Sequence, residues 1–471
     1  MDAVARINES DPSRVHLPAE DSANKGELPT GRLVAHSLFH INVTGVQLPI
    51  GVYLPAIYAQ QYGISLTALG MIFLAERIWG TATDPLVGWL CDRTRSRFGQ
   101  RKVWMAAGAA LFVLANTLLF FPGAGVTPAY LATALVLTFL SLSMIQIPYY
   151  AWSSELSGDY HERTRITSYQ TVATGLALFA VLLMPTLVDR FHPGDQVMKL
   201  HGMGAAVILP VIPTLLLAFW AFPDRSIGPP AGRARKVPWR QVFQAVLREK
   251  VLFRVMMADL IITFAQGLRG VLFVFFVSFV AGKPEWASGL FLFQFVIGIF
   301  AAPIWQRVAR RMGKHRALIA TELGQTVINL LLILVGKGDV ALLLALTVAQ
   351  GLMQGSGNML LRAMLADIAD EHQLRTGVNR AAMLFSVFSI SGKAGMALPI
   401  GIALPLVAWF GFDPKLAVNT PTALLAVAMV FSLGTAMAHL IGAALVRGFD
   451  IDESRQTEIR RALAARANSD R

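Results

Sequence analysis

The chain lacks most of what a soluble protein of 471 residues carries on its surface. Only 15% of its residues are charged, against about a quarter in an ordinary soluble domain, and 55% are apolar. A single cysteine, Cys91, excludes a disulfide framework and a thiolate-bound metal cluster. Acidic side chains are scarce, with 29 Asp and Glu against 41 Lys and Arg, a net charge of +12. A nucleic-acid binder would spread such an excess over a solvated face. Here the basic residues sit in short clusters between apolar runs, so nucleic acid is not the expected partner. No phosphate-binding loop, nucleophile elbow or metal-hydrolase signature occurs, and nothing points to an enzyme, a resident cofactor or a metal.

What the chain has is apolar length. Crossing roughly 30 Å of hydrocarbon takes about 20 residues, and twelve such runs lie between 33–58 and 422–446. Basic loops stay on the cytoplasmic side of a bilayer. Arg93, Arg95, Arg97, Arg101 and Lys102 follow the second run, and Arg307, Arg310, Arg311, Lys314 and Arg316 follow the eighth, so both termini are expected in the cytoplasm. The expected organisation is a cytoplasmic tail at 1–32, six helices over 33–222, a basic linker at 223–250, six helices over 251–447 and a cytoplasmic tail at 448–471. The two sets echo each other. Asp84-Pro85, Asp92, Gly99 and Arg101-Lys102 after helix 2 are answered by Pro303, Arg307, Gly313 and Lys314 after helix 8. A duplicated six-helix unit makes a pseudo-symmetric transporter. The expected fold is therefore an all-α membrane protein, twelve transmembrane helices in two six-helix bundles with the major facilitator architecture.

A narrower resemblance rests on four ordered segments. These are Arg77-Ile78-Trp79 with Asp84-Pro85-Leu86-Val87-Gly88-Trp89 on helix 2, and Gln146-Ile147-Pro148-Tyr149 with Glu162-Arg163 around helix 4. Ala366-Asp367-Ile368-Ala369-Asp370 and then Lys393 on helix 11 complete the set. In these the chain resembles the glycoside-pentoside-hexuronide:cation symporters, the melibiose-permease type. The resemblance implies cation-coupled uptake of a sugar, glycoside or uronate across an inner membrane, with a coupling cation, H+ or Na+, and a small-molecule substrate as partners, by a monomer in the lipid bilayer. Where that type carries two carboxylates a turn apart on helix 2, this chain has Gly80 and Asp84. Gln146 replaces a carboxylate on helix 4, Ser143 stands for a hydroxyl ligand, and Thr44 and Thr171 replace an aspartate and an arginine of the sugar site. A sodium site wants several hard oxygens, so a proton is the expected coupling ion. Lysophospholipid carriage and a non-transporting sensor or partner subunit are the alternatives.

Ionisable groups within a span face the protein interior or water. The cation-coupling candidates are Asp84, Glu76, Lys393, Ser143 and Gln146. Glu76, Gly80 and Asp84 share one face of helix 2, and Lys393 on an apolar helix needs a carboxylate, for which Asp84 is the expected partner. The substrate-binding candidates are His40, Thr44, Gln146, Tyr149, Tyr150, Arg269, Gln354, Asn358 and Arg362. Gln350, Gln354, Asn358 and Arg362 form a stripe on helix 10, and Asp259, Thr263, Gln266 and Arg269 are expected on one face of helix 7. Asp92, Arg95, Arg97, Glu162, Arg163, Asp367 and Asp370 are the gating candidates, while Glu322, Gln325 and Asn329 are expected to pack a peripheral helix.

Overall fold

In a computed structural model the described residues are 28–94, 96–157, 160–222, 250–354, 357–376, 381–449, 451 and 453–469, nearly all helical. Twelve helices cross between two faces. The first, α1, runs in pieces, Thr30–Leu38, His40–Thr44, a π-turn Pro49–Tyr53 and Leu54–Gln61. Then come α2 (Leu66–Arg93), α3 (Gln100–Phe120), α4 (Pro128–Glu155), α5 (Tyr160–Phe191) and α6 (Gln196–Ala221). The second half holds α7 (Lys250–Val280), α8 (Ala287–Met312), α9 (Lys314–Leu331), α10 (Val340–Met353 and Gly357–Thr376), α11 (Ala381–Trp409) and α12 (Pro421–Val446). Among the described residues ten of these are long and apolar enough, by length and composition, to span a membrane. The other two are the segmented α1, and α2, which carries Glu76, Arg77 and Asp84.

Local chemistry explains the breaks. Proline lacks the N–H an interior turn needs, and Pro49 and Pro55 interrupt α1 as Pro210 divides α6. Starts on the face opposite the termini are capped in a regular way. Side-chain oxygens of Ser65, Thr127, Asp195, Asp339 and Thr420 accept from the backbone N–H three residues on, opening α2, α4, α6, α10 and α12. Each such cap is worth about 1 kcal/mol.

The halves repeat each other in contacts as well as in sequence. In the first, α1 packs on α5 and α6, α2 on α4, and α3 on α4 and α6; in the second, α7 packs on α11 and α12, α8 on α10, and α9 on α10 and α12. Adding six to each helix number converts one set into the other. The turn glycines agree too, Gly99 at φ 99° and ψ 150°, Gly313 at φ 89° and ψ 151°. These left-handed values suit glycine alone. The bundles meet through α2 with α11, α5 with α8 and α1 with α7, a set that the same renumbering leaves unchanged. Close approach there is on the face away from the termini. A Cβ at Gly70 would stand 2.8 Å from Pro405 and one at Gly401 3.0 Å from Leu74, and Tyr53 meets Phe291 edge-on.

The expected tail at 1–32 lies outside the described residues up to 27, and α1 starts within it at Thr30. The linker at 223–249 also lies outside them. The C-terminal tail forms a further helix, α13 (Glu453–Ser469), packed on α10.

Candidate coupling and substrate site

Asp84 lies two-thirds along α2, where its carboxylate joins three helices. Ser143 of α4 donates to Oδ1 at 2.5 Å and Lys393 of α11 to Oδ2 at 2.7 Å. Among ion pairs between described residues this one alone joins the two bundles. The Lys393 and Asp84 side chains are 50% and 33% exposed, so the buried charge that an apolar helix suggests is corrected to a partly covered pair; the glycine and proline contacts that close α2 on α11 lie nearer the opposite face. Arg95 lies outside the described residues, and the Arg97 guanidinium covers the Phe98 ring at 4.8 Å.

Glu76 sits two turns before Asp84 and is 2% exposed. Its Oε2 is 3.5 Å from Arg77 Nε, and a Cβ on Gly80 would stand 3.7 Å from its Oε1. The carboxylate thus lies over Gly80 at ordinary contact distance. Gln146 is half-buried one turn beyond Ser143.

The substrate candidates divide. Arg362 and Asn358 are exposed on the second piece of α10, and Arg362 lies within electrostatic reach of Asp259 on α7 without closing to an ion pair with a described residue. Tyr150 is exposed while its neighbour Tyr149 is fully buried, its hydroxyl donating to the His36 carbonyl and accepting from Gln170. Tyr149 is therefore part of the packing of α4 on α1 and α5, a correction that adjacent positions on a helix, about 100° apart, make natural. His40 is buried between the rings of Tyr149 and Tyr150, and Thr44 hydroxyl donates to the His40 carbonyl.

The stripe on α10 is interrupted, since the helix ends at Met353 and Gln354 is extended. Gln350 is buried against Gln325, and Gln354 accepts from Gln294. The single face expected on α7 is also corrected. Ten residues turn a helix by roughly 1000°, well short of three full turns, so Asp259 accepts from Ser391 of α11 at 2.7 Å while Arg269 points to Asn329 of α9 and Gln294 of α8. Glu322 and Asn329 line the inside of the second bundle, Glu322 pairing with His439 of α12 at 2.6 Å, which corrects the peripheral placement.

The gating candidates form pairs within each bundle. Asp92 and Glu155 share Arg101 (3.2 and 2.6 Å), tying α2, α3 and α4. In the second half Lys314 at the matching turn binds Asp367 of α10 at 2.6 Å. Gln456 also donates to Asp367, and Asp370 is 3.8 Å from Arg460, both on α13. Glu162 binds Arg165 at 3.0 Å, and the Arg163 side chain lies outside the described residues. Sequence reasoning missed Gln294, His439 and Lys314 as partners. The turn repeat Gly99-Gln100-Arg101 and Gly313-Lys314 held the signal for the last.

Two pseudo-symmetric six-helix bundles bridged by an ion pair between α2 and α11 define a secondary transporter. The model of the family described as MFS/sugar transport protein matches residues 36–453, and the chain belongs to that family. Among curated relatives it is similar to the inner membrane symporter YicJ of Escherichia coli K12, 24% identical over 84% of this chain and 86% of the relative. The glucuronide carrier protein homolog of the same organism is 23% identical over 75% and 77%. The solved D-xylose-proton symporter shares the fold at a TM-score of 0.61 with 13% identity, covering 90% of this chain and 97% of that one. The protein is a membrane transporter with a small-molecule substrate and a coupling cation, and not an enzyme.

Proposed function

We propose that this transporter couples proton entry to uptake of a sugar, glycoside or uronate, as a monomer in a cytoplasmic membrane with both termini inside. The carrying observation is the Asp84 carboxylate, shared by Ser143 of one bundle and Lys393 of the other. With an ammonium already 2.7 Å away, the site favours a proton over a sodium ion, which needs several free oxygen ligands. Protonation of Asp84 removes the charge that holds Lys393, and the bundles are then free to rock about the site. Glu76, two turns earlier on the same face of α2, is the second carboxylate of the path. The basic turns at 93–102 and 307–316 support the inward placement of the termini.

Arg362 and Asn358, exposed on α10, together with Tyr150 and Gln146 of α4 supply the substrate donors and acceptors; Arg362, within electrostatic reach of Tyr150 and of Asp259 but exposed, suits a carboxylate. The names of the similar symporters, glucuronide among them, support this substrate class. The test is a thermal-shift and counterflow panel of D-xylose, methyl β-D-glucoside, methyl β-D-glucuronide and lysophosphatidylcholine on purified protein. Stabilisation and exchange with the glucuronide above the glucoside are expected, and response to the lysolipid alone would overturn the reading.

A further inference from the structure

Arg269 of α7 is 6% exposed and makes no ion pair with any described residue. Its Nη1 donates to Asn329 Oδ1 at 3.2 Å and its Nη2 to Gln294 Oε1 at 2.9 Å. The rings of Phe273 and Phe431 lie 5.9 and 5.3 Å from its Cζ, and its buried Nε has no acceptor among the described residues. A cation inside a membrane protein without an anion is expensive, so its chemistry rather than its packing is the feature to explain.

A guanidinium donates and never accepts. Only the carbonyl end of an amide can face it. Gln294 therefore turns Oε1 to Arg269, and its Nε2 must point onward, where it donates to Gln354 Oε1. Gln354 is left with its own Nε2 on the far side, half-buried at the break in α10. Asn329 is oriented in the same sense, Oδ1 to Arg269 and Nδ2 to the Gln325 carbonyl at 2.7 Å. Two glutamines alone could reverse this order by flipping both amides; beside a group that cannot accept, they cannot.

We propose that Arg269 is a positioning residue whose fixed donor polarity, relayed through Gln294, makes Gln354 present N–H groups to the substrate, so that this part of the site selects an acceptor oxygen such as a carboxylate or hydroxyl lone pair. The inference rests on the sugar reading above and adds a specificity element to it. Arg269 acts through Gln294 and does not touch the ligand.

The test uses full-length protein in proteoliposomes with labelled D-xylose, methyl β-D-glucoside and methyl β-D-glucuronide, in the wild type and in R269K, R269M and Q294E. Lysine also only donates, so R269K keeps KM within about threefold of the wild type. R269M frees the amides to flip and Q294E offers an acceptor on both sides, so each raises KM about tenfold or more with kcat within about twofold. Melting temperatures stay level or rise, because R269M removes a buried cation and the Q294E carboxylate pairs with Arg269. A purely structural arginine would move KM and melting temperature together. R269M with an unchanged KM, or losses in KM that follow losses in melting temperature, would overturn the inference alone. Absence of counterflow for all three sugars in the wild type would overturn the sugar reading and the inference with it.

Discussion

Lys393 Nζ stands 2.7 Å from Asp84 Oδ2, and through that contact a helix of one bundle holds a helix of the other. Because both side chains are partly exposed, the pair adds little to folding, on the order of 1 kcal/mol or less. Its weight lies in the transport cycle. Asp84→Asn and Lys393→Ala should each abolish coupled uptake while leaving the melting temperature within a few degrees, and the double variant should fold as well and still fail to couple. Normal accumulation in either single variant would separate the pair from coupling.

A second ion pair behaves oppositely. Lys199 of α6 and Asp189 of α5 approach to 2.5 Å with side chains only 6% and 4% exposed. Lys199→Met strands a buried carboxylate and should cost roughly 3 to 5 kcal/mol, whereas Lys199→Met with Asp189→Leu should be much milder. Thermal unfolding of the purified variants reads the difference, and an additive double would contradict the burial.

How much of this was legible in the sequence depends on what each residue's placement required. Twelve spans and the echo of Gly99 in Gly313 follow from length and periodicity, which are local. The meeting of Asp84 with Lys393 was also foreseeable, because few groups in those helices could neutralise either one. The partners of Arg269 were not: Gln294 and Asn329 are neutral, lie 25 and 60 residues away, and carry no periodic signal. The burial of Tyr149 beside exposed Tyr150 depends on helix rotation that an apolar sequence does not mark. Likewise α13 is too charged to read as a span, and only its docking on α10 through Ile459 makes it a structural element.

That docking yields a third expectation. Ile459 is fully buried, and Gln456 and Arg460 reach Asp367 and Asp370. Ile459→Asp should remove about 1.5 to 3 kcal/mol of apolar burial and lower the melting temperature, an effect that deletion of 453–471 should reproduce. No change in either would show α13 to be undocked in the membrane.

Gly70 gives a fourth. A Cβ there would meet Pro405 at 2.8 Å, so Gly70→Val should hold α2 off α11 on the face away from the termini. Uptake should fall about tenfold or more, a loss of some 1.4 kcal/mol or greater, while the protein still inserts and purifies normally. Wild-type uptake in this variant would mean that the two helices need not close there.

The central claim is that a proton on Asp84 drives the cycle, and an uptake assay in vesicles tests it most directly. With sodium held constant, the pH gradient is collapsed by an ionophore and accumulation of the best glycoside or glucuronide of the panel is followed. The account predicts that accumulation falls to the equilibrium level in the wild type, and that Asp84→Asn retains exchange without accumulation under either condition. Unchanged accumulation after collapse of the pH gradient, abolished only when sodium is removed, would contradict it.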